Sequence, residues 1–111
     1  INAPNLAEHW ITQGCTRVAL TFGAQGAYLQ VGKAQAQAVA PVVEVKDTVG
    51  AGDTFWGSCL ADWVLSGSLS QINLAALHVD QTLHRALVAA AINCSRVGCQ
   101  PPDVVTLKAA L

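Results

Sequence analysis

The chain has 111 residues, enough for one small domain with one core. Apolar residues make up 52% of it and charged residues only 12%, with a net charge of −1. No basic block or basic–aromatic alternation occurs and the longest apolar run, Ala86 to Ile92, is far short of the roughly 20 residues of a membrane span, so neither a nucleic-acid partner nor a spanning helix is expected.

Residues Pro4 to Gln13 predict a short helix with Leu6, Trp10 and Ile11 on one side and Gly14 as its stop. Arg17 to Phe22 is a nearly continuous apolar run, the pattern of a fully buried strand. Gly23-Ala24-Gln25-Gly26 reads as a turn, Ala27 to Val31 as the next strand, Gly32-Lys33 as a tight turn and Ala34 to Ala40 as another short strand. Val42 to Lys46 alternates valines with Glu44 and Lys46, which predicts a half-buried strand. A glycine-rich loop follows, Asp47 to Asp53.

Thr54 to Leu65 is apolar nearly all round and predicts a buried helix ended by Ser66-Gly67-Ser68. Gln71 to Leu77 is ambiguous. From Leu83 to Val97 apolar residues recur at helical spacing on both faces, predicting a second deeply buried helix whose alanines admit a close neighbour. Gly98 and Pro101-Pro102 stop it, and Asp103 starts a last short helix to Leu111. Strands followed by helices around a glycine-rich loop suit an α/β layer structure.

The loop Asp47-Thr48-Val49-Gly50-Ala51-Gly52-Asp53 carries the chemistry. Glycines allow a sharp bend and let N–H groups approach a ligand without a Cβ in the way. The first amides of a helix lack intrahelical partners and sit at the positive end of its dipole, which together make an anion site. Asp53 has two readings, an N-terminal helix cap and a general base that takes a proton from an attacking hydroxyl. The loop lacks the Lys-Ser/Thr of a P-loop.

Val45 to Phe55 resembles the D-T-x-G-A-G-D-x-F signature of ribokinase-like (PfkB-type) sugar kinases. Thr21-Phe22-Gly23-Ala24-Gln25-Gly26-Ala27 is similar to their T-x-G-x-x-G-A element, and Ala90 to Pro101 to their A-A-x-x-x-x-R-x-G-A-Q-P ending. The resemblance runs from about Arg17 to Pro102. It implies an α/β fold: residues 1–111 would be a single partial domain, the nucleotide-binding C-terminal part of a ribokinase-like, Rossmann-like three-layer fold.

The resemblance also implies roles. Asp53 would be the catalytic base, with the amides of Gly50, Ala51, Gly52 and Asp53 as the anion hole for the γ-phosphoryl group. Thr21, Gly23 and Gly26 would lie near the phosphates and ribose of ATP, which binds with Mg²⁺. The segment around Asn93 would flank the adenine and a monovalent cation, K⁺. Asp47 would give that cation a carboxylate oxygen, and Val49, Asn93, Arg96 and Gly98 their carbonyls; without the resemblance, Asp47 is a turn-forming residue.

The implied activity is ATP-dependent phosphorylation of a sugar hydroxyl, fructokinase-like, with a ribokinase or nucleoside kinase, or a non-catalytic nucleotide-binding module, as alternatives. Relatives carry an Asn or His near Ala86 or Leu87 for the adenine; here both positions are apolar, and His84 stands close by. The family's sugar site, lid and N-x-x-E element belong to its N-terminal half. Asn5 and Glu8 match that last spacing but follow no strand.

Three further expectations come from composition. The shortage of charge predicts covered surface, through a homodimer or other obligate oligomer or through a missing N-terminal half. The chain contains no Met and begins Ile1-Asn2-Ala3-Pro4, which reads as an internal or C-terminal fragment, inactive alone. Cys15, Cys59, Cys94 and Cys99 show no zinc-ligand spacing and read as small buried residues of a reducing compartment, the cytoplasm.

Overall fold

The computed structural model describes residues 2–111. Helix α1 (Ala3–Thr12) opens on Asn2, whose side chain accepts the Asn5 amide at 3.1 Å. Three strands follow, β1 (Arg17–Thr21), β2 (Ala27–Val31) and β3 (Ala34–Ala38), and then helices α2 (Ala51–Leu65), α3 (Ala76–Cys94) and α4 (Val104–Ala110). The strands form one antiparallel sheet in the order β1-β2-β3, with Arg17 opposite Val31 and Val31 opposite Ala34.

β2 is the centre of this arrangement and every one of its residues is buried. Ala27, Leu29 and Val31 face α2 and α3, in a core with Phe55, Cys59 and Trp63. Tyr28 faces the other way and packs with Ala3 and Ala7 of α1 and with Val18. A helix layer thus covers each face of the sheet, as an α/β sandwich requires. The two polar residues of β2 satisfy each other: Gln30 Nε2 donates to Gly32 O at 2.9 Å, which leaves its Oε1 to accept from Tyr28 Oη at 2.7 Å.

The helix boundaries show what sets each end. Gly67, at φ +70, ends α2 next to its cap Ser66. Asp103 caps α4 by accepting the Thr106 amide at 2.7 Å, as its position before an apolar run predicts. α3 is buried along Val79, Leu83, Ala86, Leu87 and Ala91, and its small residues let α2 lie close. Between these two helices Asp62 accepts from Arg85 Nη1 at 2.5 Å and from Thr82, with His78 at 3.5 Å. No helix of the described residues is long and apolar enough to cross a membrane.

Several expectations fail for identifiable reasons. Of the β1 run only Val18 is buried, because β1 lies at the sheet edge. On α1 the buried positions are Ala3 and Ala7, with Ile11 packed beside them, and Trp10 is 47% exposed; small residues let the helix sit close to the sheet, which a tryptophan would prevent. Val42 to Lys46 is not a strand, since no strand is there to pair with it, and Val42 is fully exposed. α2 begins at Ala51 rather than Thr54 and is covered on one side only, leaving Trp56, Val64 and Leu65 exposed. α3 stops at Cys94 rather than Val97.

Cys59 is buried as expected, and burial pushes its thiol up to about 12. Cys15 and Cys99 are exposed, against expectation, because both lie in loops.

Candidate active site

The chain between Val45 and α2 is held by the C-terminal end of α3. The amides of Lys46 and Asp47 both donate to Cys94 O, at 2.8 and 3.2 Å. Asp47 Oδ1 then accepts from Val49 N at 2.9 Å, an Asx turn, and Oδ2 accepts from Gly98 N at 3.0 Å. These amide donors hold the Asp47 carboxyl below the usual carboxylate range. The turn-forming reading of Asp47 is thus present in the geometry, together with a bridge to the loop after α3.

Gly50 occupies the cap position of α2 in the left-handed region, at φ +79. A side chain there is strained and would run into the sulfur of Cys99. Gly52 is different. It lies in the first helical turn, and a Cβ built on it meets nothing within 4 Å. The fold therefore does not need glycine at position 52, whereas an incoming ligand would benefit from one. Ala51 N donates to Thr48 O at 3.2 Å and Thr54 N to Gly50 O at 2.8 Å. The amides of Gly50, Gly52 and Asp53 have no backbone acceptor, so three of the four expected anion-hole donors are free and Ala51 is engaged.

Asp53 sits in the first turn of α2, exposed, with Gly50 in the cap position. The cap reading of Asp53 is thereby excluded. Neither ion pair of the described residues involves its carboxylate.

Two hollows are lined by residues from this end of α2. One, of about 540 Å³, brings Thr21, Gly23 and Gly26 of the β1–β2 turn against Ala51 and Gly52. Its walls are apolar, Val43, Phe55 and Leu87 among them. The other, of about 380 Å³, has Asp53 on its wall with Gly57, Ala61, Pro101 and Leu107. The first groups together residues that sequence reading had assigned to one nucleotide. Leu87 reaches it, but Ala86 is fully buried in the core and His84 is exposed elsewhere on α3. Asn5 and Glu8 are exposed on α1, across the sheet from α2.

Among the proposed cation ligands, Asp47, Val49, Asn93 and Gly98 are joined by direct hydrogen bonds. Asn93 O accepts from Arg96 N at 3.2 Å, so Arg96 belongs to the same loop cluster, and its guanidinium reaches Gln100 O at 3.1 Å. No group of three or more His, Cys, Asp or Glu side chains could hold a metal among the described residues.

Sequence reading missed two parts of this region, the Asn93 side chain and Cys99. Asn93 is fully buried and bonded at both ends of its amide; the available signal was an amide near the end of an otherwise apolar helix. Nothing in the sequence marks Cys99 as the neighbour of Gly50.

Comparison with known proteins bears on the family and the fold. Residues 2–106 match the family model described as pfkB family carbohydrate kinase. A fructokinase from Rhizobium leguminosarum bv. trifolii is 38% identical over 72 residues, 65% of this chain but 22% of that protein. Among solved structures, a double mutant of the fructokinase from Vibrio cholerae O395, bound to fructose, ADP and potassium ion, superposes with a TM-score of 0.76 at 23% identity, covering 100% of this chain and 35% of its own. A ribokinase from Thermotoga maritima gives 0.76 at 22% identity, over 98% of this chain and 34% of its own. A ribokinase from Cryptococcus neoformans var. grubii in complex with ADP gives 0.67 at 29% identity, over 86% and 29%. The chain thus has the fold of the ribokinase-type kinases and spans about a third of the solved ones. With nearly its whole length matched by the family model, the chain belongs to the pfkB family of carbohydrate kinases.

Proposed function

We propose that this chain forms the nucleotide-binding, C-terminal part of a fructokinase-like enzyme that phosphorylates a sugar hydroxyl with ATP. The observation that carries the reading is the convergence, at one end of α2, of three free amides and one exposed carboxylate between two hollows. On the side of Thr21, Gly23 and Gly26 the hollow receives the nucleotide. The amides of Gly50, Gly52 and Asp53 meet the γ-phosphoryl group and offset the charge it develops. On the other side Asp53 accepts the proton of the sugar hydroxyl as its oxygen attacks phosphorus.

K⁺ would be held by the Asp47 carboxylate and the carbonyls of Val49, Asn93, Arg96 and Gly98. The donor set fits a hard monovalent ion, all oxygen with a single charge, and Val49 O and Asn93 O each keep a second lone pair beyond the hydrogen bond they accept. The cation would lower the local negative potential beside the triphosphate, and Mg²⁺ would enter with ATP. Acceptor positioning comes from the remainder of the enzyme. The chain alone is therefore expected to show little sugar phosphorylation, because phosphoryl transfer depends on holding both reactants. On the same reading the enzyme would act in the cytoplasm.

The test is complementation with an N-terminal portion of a related fructokinase, followed by ADP production across fructose, other hexoses, ribose and nucleosides. In the active complex Asp53→Asn should lower kcat by about 10²- to 10⁴-fold with ATP affinity retained. Unchanged turnover would end the base assignment. The Cryptococcus ribokinase, more identical than the Vibrio fructokinase, favours ribose as a second acceptor, and the sugar panel separates the two.

A further inference from the structure

Asn93 lies in the last turn of α3 with 0% of its surface exposed, and its amide is hydrogen-bonded through both its nitrogen and its oxygen. Nδ2 donates to Val49 O at 2.8 Å, and Oδ1 accepts from Gln100 N at 2.8 Å. Its partners belong to the two different loops that frame the candidate site. A buried amide with one donor and one acceptor both matched is a specific device, since no apolar or acidic side chain reproduces it.

The carbonyl that Asn93 holds shares a peptide plane with a functional amide. Val49 C=O and Gly50 N–H belong to one planar unit, and none of the described residues has a cis peptide. In a trans peptide these two groups point in opposite directions. Fixing Val49 C=O toward the buried Asn93 therefore aims Gly50 N–H away from α3. Gly50 is also the residue with the least conformational restraint of its own in this turn, at φ +79.

We propose that the Asn93 side chain is a positioning residue: it locks the Val49–Gly50 peptide plane and so orients the Gly50 amide toward the terminal phosphate. The functional consequence rests on the nucleotide reading given above, while the structural part stands without it. Asn93 is not a catalytic residue in this scheme, since it touches loop backbone and no reacting atom. Its role is distinct from that of its own carbonyl in the cation site.

The test uses the 111-residue chain with two substitutions, each first shown to be folded by circular dichroism and thermal melting. Asn93→Asp keeps shape and the acceptor for Gln100 but sets an oxygen against Val49 O. Asn93→Ser is the uncharged alternative should the buried acid prevent folding. Without nucleotide, hydrogen exchange at Thr54 N–H, which closes the first turn onto Gly50 O, should accelerate about tenfold, with exchange at Ala86 in mid-α3 unchanged. Wild-type exchange at Thr54 in a folded variant would overturn the proposal.

With Mg²⁺ and K⁺ present, the variants should lose about tenfold or more in affinity for ATP and less than about threefold for ADP, since one terminal-phosphate contact is misaimed. Equal losses for both nucleotides would also overturn it, because a merely structural residue weakens both. If the unsubstituted chain binds ATP no better than ADP, the γ-phosphate reading fails, and exchange at Thr54 still decides whether Asn93 sets the turn.

Discussion

α2 and α3 both read in sequence as deeply buried helices, yet they end in different surroundings. α3 buries residues around most of its circumference, from Val79 through Ala89 to Asn93. α2 buries Thr54, Phe55, Cys59 and Trp63 toward α3 and the sheet, and leaves Val64 59% and Leu65 81% exposed. An apolar pattern thus states what a helix is able to bury, not what covers it within a given stretch of chain. The uncovered side of α2 also carries the open end with Gly52 and Asp53. The helix that is less enclosed is the one that holds the candidate chemistry.

The largest effects should fall where the two helices meet. Trp63 is fully enclosed and stacks under the Arg17 guanidinium at 4.7 Å. Trp63→Ala should cost about 3–5 kcal/mol in urea unfolding. Leu65→Ala, two residues on, should change stability by less than about 0.5 kcal/mol. Equal costs would mean that the far side of α2 is covered in solution.

A second pair separates conformational glycine from open glycine. Gly50→Ala should destabilise by roughly 1–2 kcal/mol from backbone strain alone, and by more from the Cys99 contact. Gly52→Ala should raise stability by up to about 1 kcal/mol, as alanine does in a helix, while weakening ATP binding. A Gly52→Ala chain that binds ATP normally would remove the phosphate from this turn.

The smallest effect is a titration. The Val49 and Gly98 amides depress the Asp47 carboxyl below its ordinary 3.8. A depressed carboxylate contributes fully above its unfolded value and loses that contribution as pH falls through the folded one. The Gly98 amide resonance should therefore stay constant through neutral and mildly acid pH and move with a midpoint below 3.8. A midpoint at or above that value would show the bridge to be absent.

Much of this fold is legible in the sequence because its signals are local. Gly14, Gly32 and Gly67 punctuate the elements where they occur, and Asp103 caps α4 as its position implies. The alternation of Val42 to Lys46 misleads because Val43 and Val45, like the adjoining Pro41 and Val42, line a hollow rather than a sheet face. Trp10 misleads because closeness of approach, through Ala3 and Ala7, and not bulk decides which face of α1 meets the sheet. At the site, the glycine spacing identifies the turn, but only the structure shows that Gly50, not Asp53, takes the cap position of α2. The Asn93 link spans 44 residues of sequence, and no local pattern encodes it.

Arg17 has a wider consequence. Its Nη2 donates to Ser68 O at 2.7 Å and to Gln71 O at 2.8 Å, tying the first strand to the connection between α2 and α3 across more than 50 residues. That connection has no regular structure of its own between Leu69 and Ala75, so its path is borrowed from β1. A lysine at this position would keep the charge but lose both the planar stacking on indole and the reach to two carbonyls at once. Shortening or extending the connection would accordingly be felt at the first strand, more than 50 residues away in sequence, a constraint on engineering that its solvent-facing residues do not advertise.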